Sequence, residues 1–378
     1  MIVTRKIEIY ICEDDKQQRK ELYDRLFDIQ TVAVKVANMT ASHLFMLDNT
    51  IPYLSEADRN SLVFLGCSGQ KATKQNAPYV VASEQFKGKA SMSMISCVQQ
   101  QVRKMYQDDR KQGMWRRSLR SYKAGMPIPY KQGDFLNLRF ATYTDSEGKE
   151  HEGCFFTIEK IPFQMKFGRD RSNNRLVVER IVSGEYKMCT SSLKYDPNRN
   201  KWYLLLCVDM PQQAYKPKEG KPMFAFLGIL NPIVCTCDVQ ARQAYDSGMK
   251  VWEIGTKEEF NYGRRQIQEA VRRLQTAMQY NRGGKGRKKK CQAIDRFHDK
   301  EQNYVKNKMH LYSRQLVDMA MKHRCDEIVL MKQTEREEQA KQEHEQGDHF
   351  VLRNWGYHGL KEMIAYKAKM AGIKVTTK

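Results

Sequence analysis

The sequence predicts an α+β multidomain fold, in which a helical lobe is inserted into a β-barrel and an α/β domain follows. Three observations predict it. Apolar and polar residues alternate with a period of two, as in half-buried strands, over residues 1–12 and again over 126–215. Over 13–125 the apolar residues instead recur at helical spacing. Over 216–378 short apolar runs alternate with long amphipathic stretches, which is typical of α/β domains.

The predicted barrel uses two separate parts of the chain. Ile7, Ile9 and Ile11 alternate with charged or polar neighbours, so residues 1–12 are expected to supply its first strand. Residues 126–215 are expected to supply two hairpins, the second of which returns through KWYLLLCVDM. The helical lobe is then an insertion between the first strand and the rest of the barrel.

Residues 13–125 are predicted to be mainly helical. Acidic residues from Glu13 to Asp15 form a helix start signal, and Leu26 and Ile29 follow at helical spacing. The end of this range mixes arginines with aromatic rings, a pattern that suits phosphate contacts combined with base stacking. A solvated basic helix whose aromatic side chains face the core fits the same pattern. The candidate nucleic-acid-binding residues here are Arg103, Trp115, Arg116, Arg117, Arg120, Tyr122 and Lys123.

Residues 216–378 combine predicted strands with two long helices. FAFLGILNPIVCTCD is predicted to form a pair of strands, and DEIVLMKQ a later, buried strand. The helices between them have apolar stripes that include Ile267 and Leu274 in the first and Tyr312 and Leu316 in the second. Basic residues on the polar sides of these helices are candidates for contacts with a nucleic-acid backbone. They are Arg264, Arg265, Arg272, Arg273, Lys300, Lys306, Lys308 and Arg314.

The segment NRGGKGRKKK separates the two helices. It lacks the Gly-x-x-x-x-Gly-Lys-Ser/Thr spacing of a phosphate-binding loop, and it follows a helix rather than a strand. We therefore predict a flexible cationic hinge that contacts phosphates, with a plain solvated loop as the less favoured alternative. The candidate residues are Lys285, Arg287, Lys288, Lys289 and Lys290, next to Arg282.

The charge of the chain points to a polyanionic partner. Lys and Arg number 65 against 44 Asp and Glu, which gives a formal net charge of +21. An excess of this size repels itself in a compact protein unless a polyanion neutralises it. A soluble protein with a generally basic surface is the alternative, but the basic residues cluster on two segments, which disfavours it.

Neither a signal peptide nor a membrane span is predicted, because the first residues alternate like a strand and the apolar runs are short. The ten cysteines lack framework spacing, which is typical of a reducing cytoplasm. Cys235 and Cys237 are too few and too close to hold zinc, and His344, Glu345 and His349 would not share a helical face. We therefore predict a cytoplasmic protein without a metal or another cofactor.

The order of these parts resembles that of the TnpB nucleases and the smallest type V CRISPR effectors. KWYLLLCVDM resembles the last barrel strand of that family, and YVKNKMHLYSRQLVDMA resembles its bridging helix through Asn307, His310, Ser313, Arg314 and Val317. EIVLM resembles the next strand, and NWGYHGLKEMIAYKAKMAGIKV the helix and strand near the end. The resemblance covers the last half of the chain, while the first half matches in layout only. It implies a wedge barrel, a helical recognition lobe and an RNase H-like (RuvC) domain.

The resemblance also implies a nuclease site, in which three carboxylates hold two divalent ions about 4 Å apart. The first carboxylate follows a Gly-(Ile/Val) pair, and this chain has Leu230 after Gly228 and Ile229. Met331 stands where the second is expected. The third lies beyond a cysteine-rich zinc ribbon, and the sequence ends at Lys378 before either. We therefore expect a truncated RuvC-like domain without the zinc ribbon, with degenerate positions at Leu230 and Met331, no catalytic residues and no enzymatic activity.

The function implied by the resemblance is RNA-guided DNA binding without cleavage, with a guide RNA and target double-stranded DNA as partners. The family's inactivated members suggest control of transcription, either by recruiting a sigma factor and RNA polymerase or by blocking a promoter. Small effectors of this kind also suggest a homodimer on one guide RNA. Two alternatives stay open. One is a guide-RNA-processing or residually active nuclease, and the other is a DNA-binding transposition accessory that needs no RNA.

Overall fold

The structure is a computed structural model of the 378-residue chain. The chain forms two compact units, Met1–Pro211 and Gln212–Lys378, each with its own apolar core. None of the described helices is long and apolar enough to cross a membrane. The structure describes residues 2–58, 77–111, 113, 119–144, 150–168, 173–197, 199–211, 215–228, 231–238, 250–280, 285–331 and 357–377.

The first unit contains an antiparallel sheet in the order β2-β7-β8-β1-β5-β4-β3, with β6 beside β8. Its central strand β1 pairs with β8 on one side, where Ile7 lies opposite Leu204, and with β5 on the other. The alternate residues Ile7 and Ile9 of β1 are buried. The strands are β1 (Ile2–Ile11), β2 (Ile128–Tyr130), β3 (Leu136–Thr144), β4 (Glu150–Ile158), β5 (Ile161–Lys166), β6 (Lys187–Met188), β7 (Ser191–Asp196) and β8 (Lys201–Asp209).

The helices of the first unit share one core with this sheet. Asp15 caps the first helix by accepting a hydrogen bond of 3.0 Å from the Gln17 N–H, which satisfies an amide that has no partner within the helix. Leu26 and Ile29 of that helix are buried in the same cluster as Met94 and as the inward side chains of β1. The helices are α1 (Lys16–Thr50), α2 (Ala77–Phe86), α3 (Met92–Lys111) and α4 (Asn174–Val182), with short 3₁₀ helices at Ile51–Tyr53 and Gln132–Asp134.

The second unit contains a mixed sheet in the order β11-β10-β9-β12-β13. Strand β12 runs parallel to both β9 and β13, while β10 runs antiparallel to β9. One face of the sheet is buried with Tyr312 and Leu316 of the long helix and with Ile364 of the last helix. The elements are β9 (Lys218–Phe226), β10 (Ile233–Thr236), β11 (Trp252–Ile254), α5 (Lys257–Gln279), α6 (Lys285–Lys322), β12 (Cys325–Leu330), α7 (Tyr357–Ala371) and β13 (Lys374–Thr377).

The predicted flexible hinge at NRGGKGRKKK is wrong for residues 285–290. Their backbone forms the first turns of α6, which begins at Lys285. Lysine and arginine are good helix formers, so the five cations of this run favour a helix even though Gly286 lies among them. Residues 281–284 lie outside the described residues, as do the side chains of 285–290.

Candidate nucleic-acid interface

Helices α5 and α6 are joined by ion pairs that involve two of the predicted phosphate contacts. Arg264 Nε lies 2.6 Å from Glu301 Oε1, which also accepts a hydrogen bond of 3.0 Å from Gln268. Lys308 pairs with Glu259 in the same way. Both cations are largely covered by the two helices, with side-chain exposures of 17% and 18%. Arg264 and Lys308 therefore contribute to helix packing through these carboxylates.

The other predicted cations of these helices whose side chains the structure describes are exposed. Arg273 has a side-chain exposure of 84% and lies 3.9 Å from Glu269, an exposed pair that contributes little to stability. Arg314 pairs with Asp318 at 2.9 Å on the surface of α6. Side chains in these positions can reach a phosphate without disturbing the packing between the helices. The exposed candidates are Arg265, Arg272, Arg273, Lys300, Lys306 and Arg314.

The structure adds Lys367 to this surface. Its ammonium group extends from α7 to α6, where it donates hydrogen bonds to the carbonyl oxygen of His310 and, at 2.9 Å, to Ser313 Oγ. It thereby lies near Lys306 and Arg314, which are on the same stripe of α6 as His310 because residues four apart share a helical face. We refer to Lys306, His310, Arg314 and Lys367 as the basic cluster.

The groups of the basic cluster repel one another. Burial, reinforced by the charge of Arg314 and opposed by Asp318, lowers the pKa of Lys367 to about 8. Burial also lowers the pKa of His310, and the charges of Lys367 and Lys306 add to the effect. A bound anion would relieve this repulsion and restore the protonated forms. The cluster is therefore prepared to bind a phosphate group.

In the first unit, the structure describes only part of the predicted nucleic-acid-binding segment near the end of residues 13–125. Arg120 makes a bidentate ion pair with Asp109, at 2.9 and 2.6 Å. The Tyr122 backbone exchanges two hydrogen bonds of 2.9 Å with the side-chain amide of Asn38, so its segment is fixed to α1. Arg103 is half-buried and Lys123 is exposed. Residues Trp115, Arg116 and Arg117 lie outside the described residues.

This fixed segment borders a cavity of about 450 Å³. Its walls include Val102, Met105 and Met126, with Tyr122 and Arg120 among the lining side chains. An apolar floor with an aromatic ring and a guanidinium group suits a flat, unstacked base. Arg120 and Tyr122, both candidate nucleic-acid-binding residues, line this same cavity.

A second basic surface, on the outer face of the first unit's sheet, is not among the sequence predictions. Lys6 Nζ lies 3.9 Å from the centre of the Tyr203 ring, and Lys194 is the cross-strand neighbour of Tyr203. Burial and the charges of Arg199 and Lys194 lower the pKa of Lys6, while Asp196 opposes them. The signal was present in the sequence, because alternation that buries Ile7 places Lys6 on the opposite face.

Met331, one of the two positions predicted as degenerate carboxylate sites, lies at the carboxyl end of β12, which runs parallel to β9. Met331 directly follows β12, and its N–H donates a hydrogen bond of 3.0 Å to the Ala225 carbonyl near the end of β9. Phe226 and Val329 are buried beside Met331 in a separate apolar cluster. These side chains offer no oxygen to a divalent ion, so no metal-dependent step follows from them. Leu230 lies outside the described residues.

Within the described ranges, no group of three or more His, Cys, Asp or Glu residues is arranged to hold a metal ion. Asp246, Glu335 and Asp348 are among the carboxylates that lie outside those ranges.

Comparison of the sequence with protein-family models finds no match. One curated relative is similar. It is the CRISPR-associated endodeoxyribonuclease Cas12f1 of Sulfoacidibacillus thermotolerans, 32% identical over 210 residues. The match covers 54% of this chain and 45% of that protein, so the chain is aligned with about half the length of the relative.

The fold is similar to that of solved Cas12f structures. A Cas12f1–sgRNA–target DNA complex aligns with a TM-score of 0.66 and 14% identity, over 100% of this chain and 89% of that one. A CRISPR-Cas12f ternary complex aligns with a TM-score of 0.40 and 15% identity, over 97% and 75%, which is too weak to support an argument. Sequence and structure thus both match Cas12f1, an α+β miniature type V effector.

The prediction that the chain is not an enzyme is wrong on this comparison. The matching relative is named an endodeoxyribonuclease, which points to an enzyme. The prediction rested on Leu230 and Met331 and on the missing third carboxylate and zinc ribbon. A metal site is built in space, and carboxylates far apart in the sequence can form it, so two local positions do not decide whether one exists.

Proposed function

We propose that this chain is an RNA-guided DNA-binding effector of the miniature type V kind. The observation that carries the proposal is the basic cluster, where Lys306, His310, Arg314 and Lys367 lie together on α6 and α7. Burial, together with the neighbouring charges, lowers the pKa values of His310 and Lys367 there. The likeness to Cas12f1 in sequence and fold supports a nucleic acid as the anion that this cluster binds. Fold alone does not specify function, so the charge arrangement and the likeness are needed together.

In this proposal the protein binds the sugar-phosphate backbones of the nucleic acids, and base pairing between guide RNA and target DNA determines which sequence is bound. The basic cluster and the exposed cations Arg265 and Arg272 contact phosphates of a guide–target heteroduplex, whose A-form shape they recognise. Arg264 and Lys308 support the helices that carry these contacts, because carboxylates already pair with them.

The first unit is assigned to the guide RNA. Lys6 and Lys194 beside Tyr203 provide phosphate contacts on the outer face of the sheet. The cavity beside Tyr122 accepts one unstacked base. Single-stranded or bulged regions of a folded RNA offer such bases, whereas a regular duplex does not.

Three further predictions come from the sequence resemblance alone. They are the recruitment of a sigma factor and RNA polymerase, the blocking of a promoter, and a homodimer on one guide RNA. Light scattering of the RNA-bound complex measures the number of protein copies. A transcription assay from a promoter that matches the guide distinguishes activation from repression.

The test of the proposed function begins with the RNA that copurifies with the protein. We expect one abundant, defined RNA, and we expect the complex rebuilt with it to bind a DNA duplex that matches its guide segment and not a scrambled duplex. Equal binding of both duplexes by RNA-free protein would instead support a transposition accessory. Adding magnesium to the same incubation measures strand cleavage, the activity named for the relative, and processing of a guide precursor.

A further inference from the structure

Cys237 and Cys325 are in direct contact at one end of the sheet of the second unit. Their sulfur atoms lie 3.6 Å apart, although 88 positions separate them in the sequence. Cys237 directly follows β10 and Cys325 is the first residue of β12, and these strands flank β9 on opposite sides. The contact therefore joins two strands that do not pair with each other.

The two thiols differ in exposure and in acidity. Cys325 is fully buried, whereas Cys237 is partly exposed. The hydrogen bond shared with Cys325 lowers the pKa of Cys237. Partial burial opposes this effect, and the charge of Lys221 adds to it. The same contact, together with burial, raises the pKa of Cys325. Cys237 is thus the more acidic thiol and the one that a reagent can reach, and Cys325 is a buried thiol held against it.

We propose that Cys237 and Cys325 form a reversible oxidation site, at which hydrogen peroxide converts the two thiols into a disulfide. An accessible thiolate beside a second thiol is the arrangement of oxidisable cysteine pairs. The inference does not depend on the proposed function, because it concerns only the contact between these two residues.

The reaction proceeds in two balanced steps. The Cys237 thiolate attacks one oxygen of hydrogen peroxide, so that an S–O bond forms, the O–O bond breaks and hydroxide leaves, to become water with the proton that Cys237 had released. The sulfur of Cys325 then loses its proton and attacks the Cys237 sulfenic acid. The S–S bond forms, the S–O bond breaks, and the departing hydroxide takes up that proton as a second water. The two thiols together lose two electrons, which reduce one peroxide to two waters.

Three other described cysteines, Cys235, Cys154 and Cys12, are less suited to the reaction. Cys235 lies only two residues from Cys237, but it is fully buried, its sulfur contacts the Trp252 carbonyl oxygen at 3.6 Å, and burial raises its pKa to about 12. Burial likewise raises the pKa of Cys154 to about 12. Cys12 is exposed, but partial burial and the charges of Asp14 and Glu13 raise its pKa as well.

Zinc binding by the pair is not supported by the described residues. Structural zinc needs four ligands, and these two sulfurs have no third His, Cys, Asp or Glu arranged with them in the part of the chain that the structure describes. In a reducing cytoplasm a disulfide is usually transient and redox-sensing rather than structural. Reversibility is therefore part of the proposal.

The test uses the full chain, treated with hydrogen peroxide, blocked with an alkylating reagent and digested without reduction. Mass spectrometry is expected to find a linked pair of peptides that contain Cys237 and Cys325, and dithiothreitol is expected to return both thiols. If both cysteines are still alkylated as free thiols after peroxide, or if Cys237 is linked to another cysteine, the proposal is overturned. This measurement needs no variant and so does not depend on the folding of one.

Variants distinguish the role of Cys237, which reacts with peroxide, from that of Cys325, which then attacks the sulfenic acid. With Cys325→Ser, Cys237 should stop at the sulfenic acid, which a cyclic dione traps, and with Cys237→Ser the buried Cys325 should stay unmodified. Cys235→Ser is the matched control, and it should form the same linked pair at the wild-type rate. Dione labelling of Cys325 in place of Cys237, or loss of the disulfide in Cys235→Ser, would contradict the assignment.

Discussion

Lys367 on α7 donates hydrogen bonds to both the His310 carbonyl and the Ser313 hydroxyl of α6. Ser313 Oγ is itself a donor to the Met309 carbonyl, at 2.7 Å, so the lysine completes a partly buried polar network between two helices. The same ammonium group stands beside Arg314 and lowers the pKa of His310. One side chain thus both fixes α7 to α6 and adds charge to the basic cluster.

The pKa of Lys367 predicts opposite pH effects on binding and on stability. Nucleic-acid affinity should fall as the pH rises through about 8, because the ammonium group then loses its proton and its attraction for phosphate. The free energy of unfolding should rise between about 8 and the ordinary value of 10.5, because the unfolded chain holds this proton more tightly than the folded chain. Titrating both quantities in wild type and Lys367→Met isolates this contribution.

Lys367→Met should weaken binding below its pKa by up to roughly tenfold, about 1.4 kcal/mol, and should lack the fall in affinity at higher pH. Lys369→Met removes an exposed charge from the same helix and serves as the control. If the two variants follow the same pH profile, Lys367 is not part of the binding surface.

The salt dependence of binding should report which cations contact phosphates. Each phosphate contact contributes roughly 0.7 to 0.9 to the slope of log affinity against log salt concentration. Lys306→Ala and Arg314→Ala should each reduce the slope by about that amount. Lys374→Ala, an exposed lysine on β13 that lies 3.9 Å from Glu327, should leave the slope unchanged. An equal reduction in all three variants would mean that the charges act non-specifically.

Glu301 should matter more for stability than an exposed carboxylate on the neighbouring helix. Glu301→Gln removes the charge that pairs with the largely covered Arg264, and we expect a loss of about 1–2 kcal/mol in the free energy of unfolding. Glu269→Gln disrupts the exposed pair with Arg273 and should cost less than about 0.5 kcal/mol. Urea denaturation of both variants provides the comparison, and equal losses would mean that burial adds nothing to the Arg264 pair.

Substitution of Arg264 distinguishes between the two interpretations of this residue. The sequence indicated a phosphate contact, and the geometry indicates an interhelix pair. Arg264→Gln should therefore reduce the free energy of unfolding while the salt slope of binding stays at its wild-type value. A reduced slope with unchanged stability would support the phosphate contact instead.

The local periodicity of apolar residues was sufficient to predict some helices and strands and insufficient to predict others. Ile7, Ile9 and Ile11 alternate, and β1 forms there because one face of the strand is buried. Helix α4 was not expected, because Val177 and Val178 are adjacent and fit neither a strict helical stripe nor strand alternation. The role of Lys367 could not be predicted from the sequence, since it depends on a contact with Ser313, 54 positions away. Arg264 was predicted to contact a nucleic-acid backbone, because its partner Glu301 is 37 positions away and the sequence alone does not show the pair.

Gly263 allows the close approach of α5 and α6. A Cβ atom added there would lie 2.6 Å from Cζ and 2.8 Å from Cε2 of Tyr304, closer than real side chains approach. The ring cannot easily move, because its hydroxyl donates to the carbonyls of Glu259 and Phe260, at 3.2 and 3.3 Å. Alanine has the better helix propensity by about 1 kcal/mol, but overpacking costs about 1–3 kcal/mol, so Gly263→Ala should be destabilising.

The sign of the Gly263→Ala effect should reverse when Tyr304 is removed. In a Tyr304→Ala background the clash is absent, and the same substitution should increase the free energy of unfolding by up to about 1 kcal/mol, its helix-propensity gain. Gly359→Ala in α7 is the matched control, because its Cβ would meet Met309 Sδ at an ordinary 3.9 Å and should not destabilise in either background. A loss for Gly263→Ala that persists without the Tyr304 ring would show that something other than this contact requires glycine.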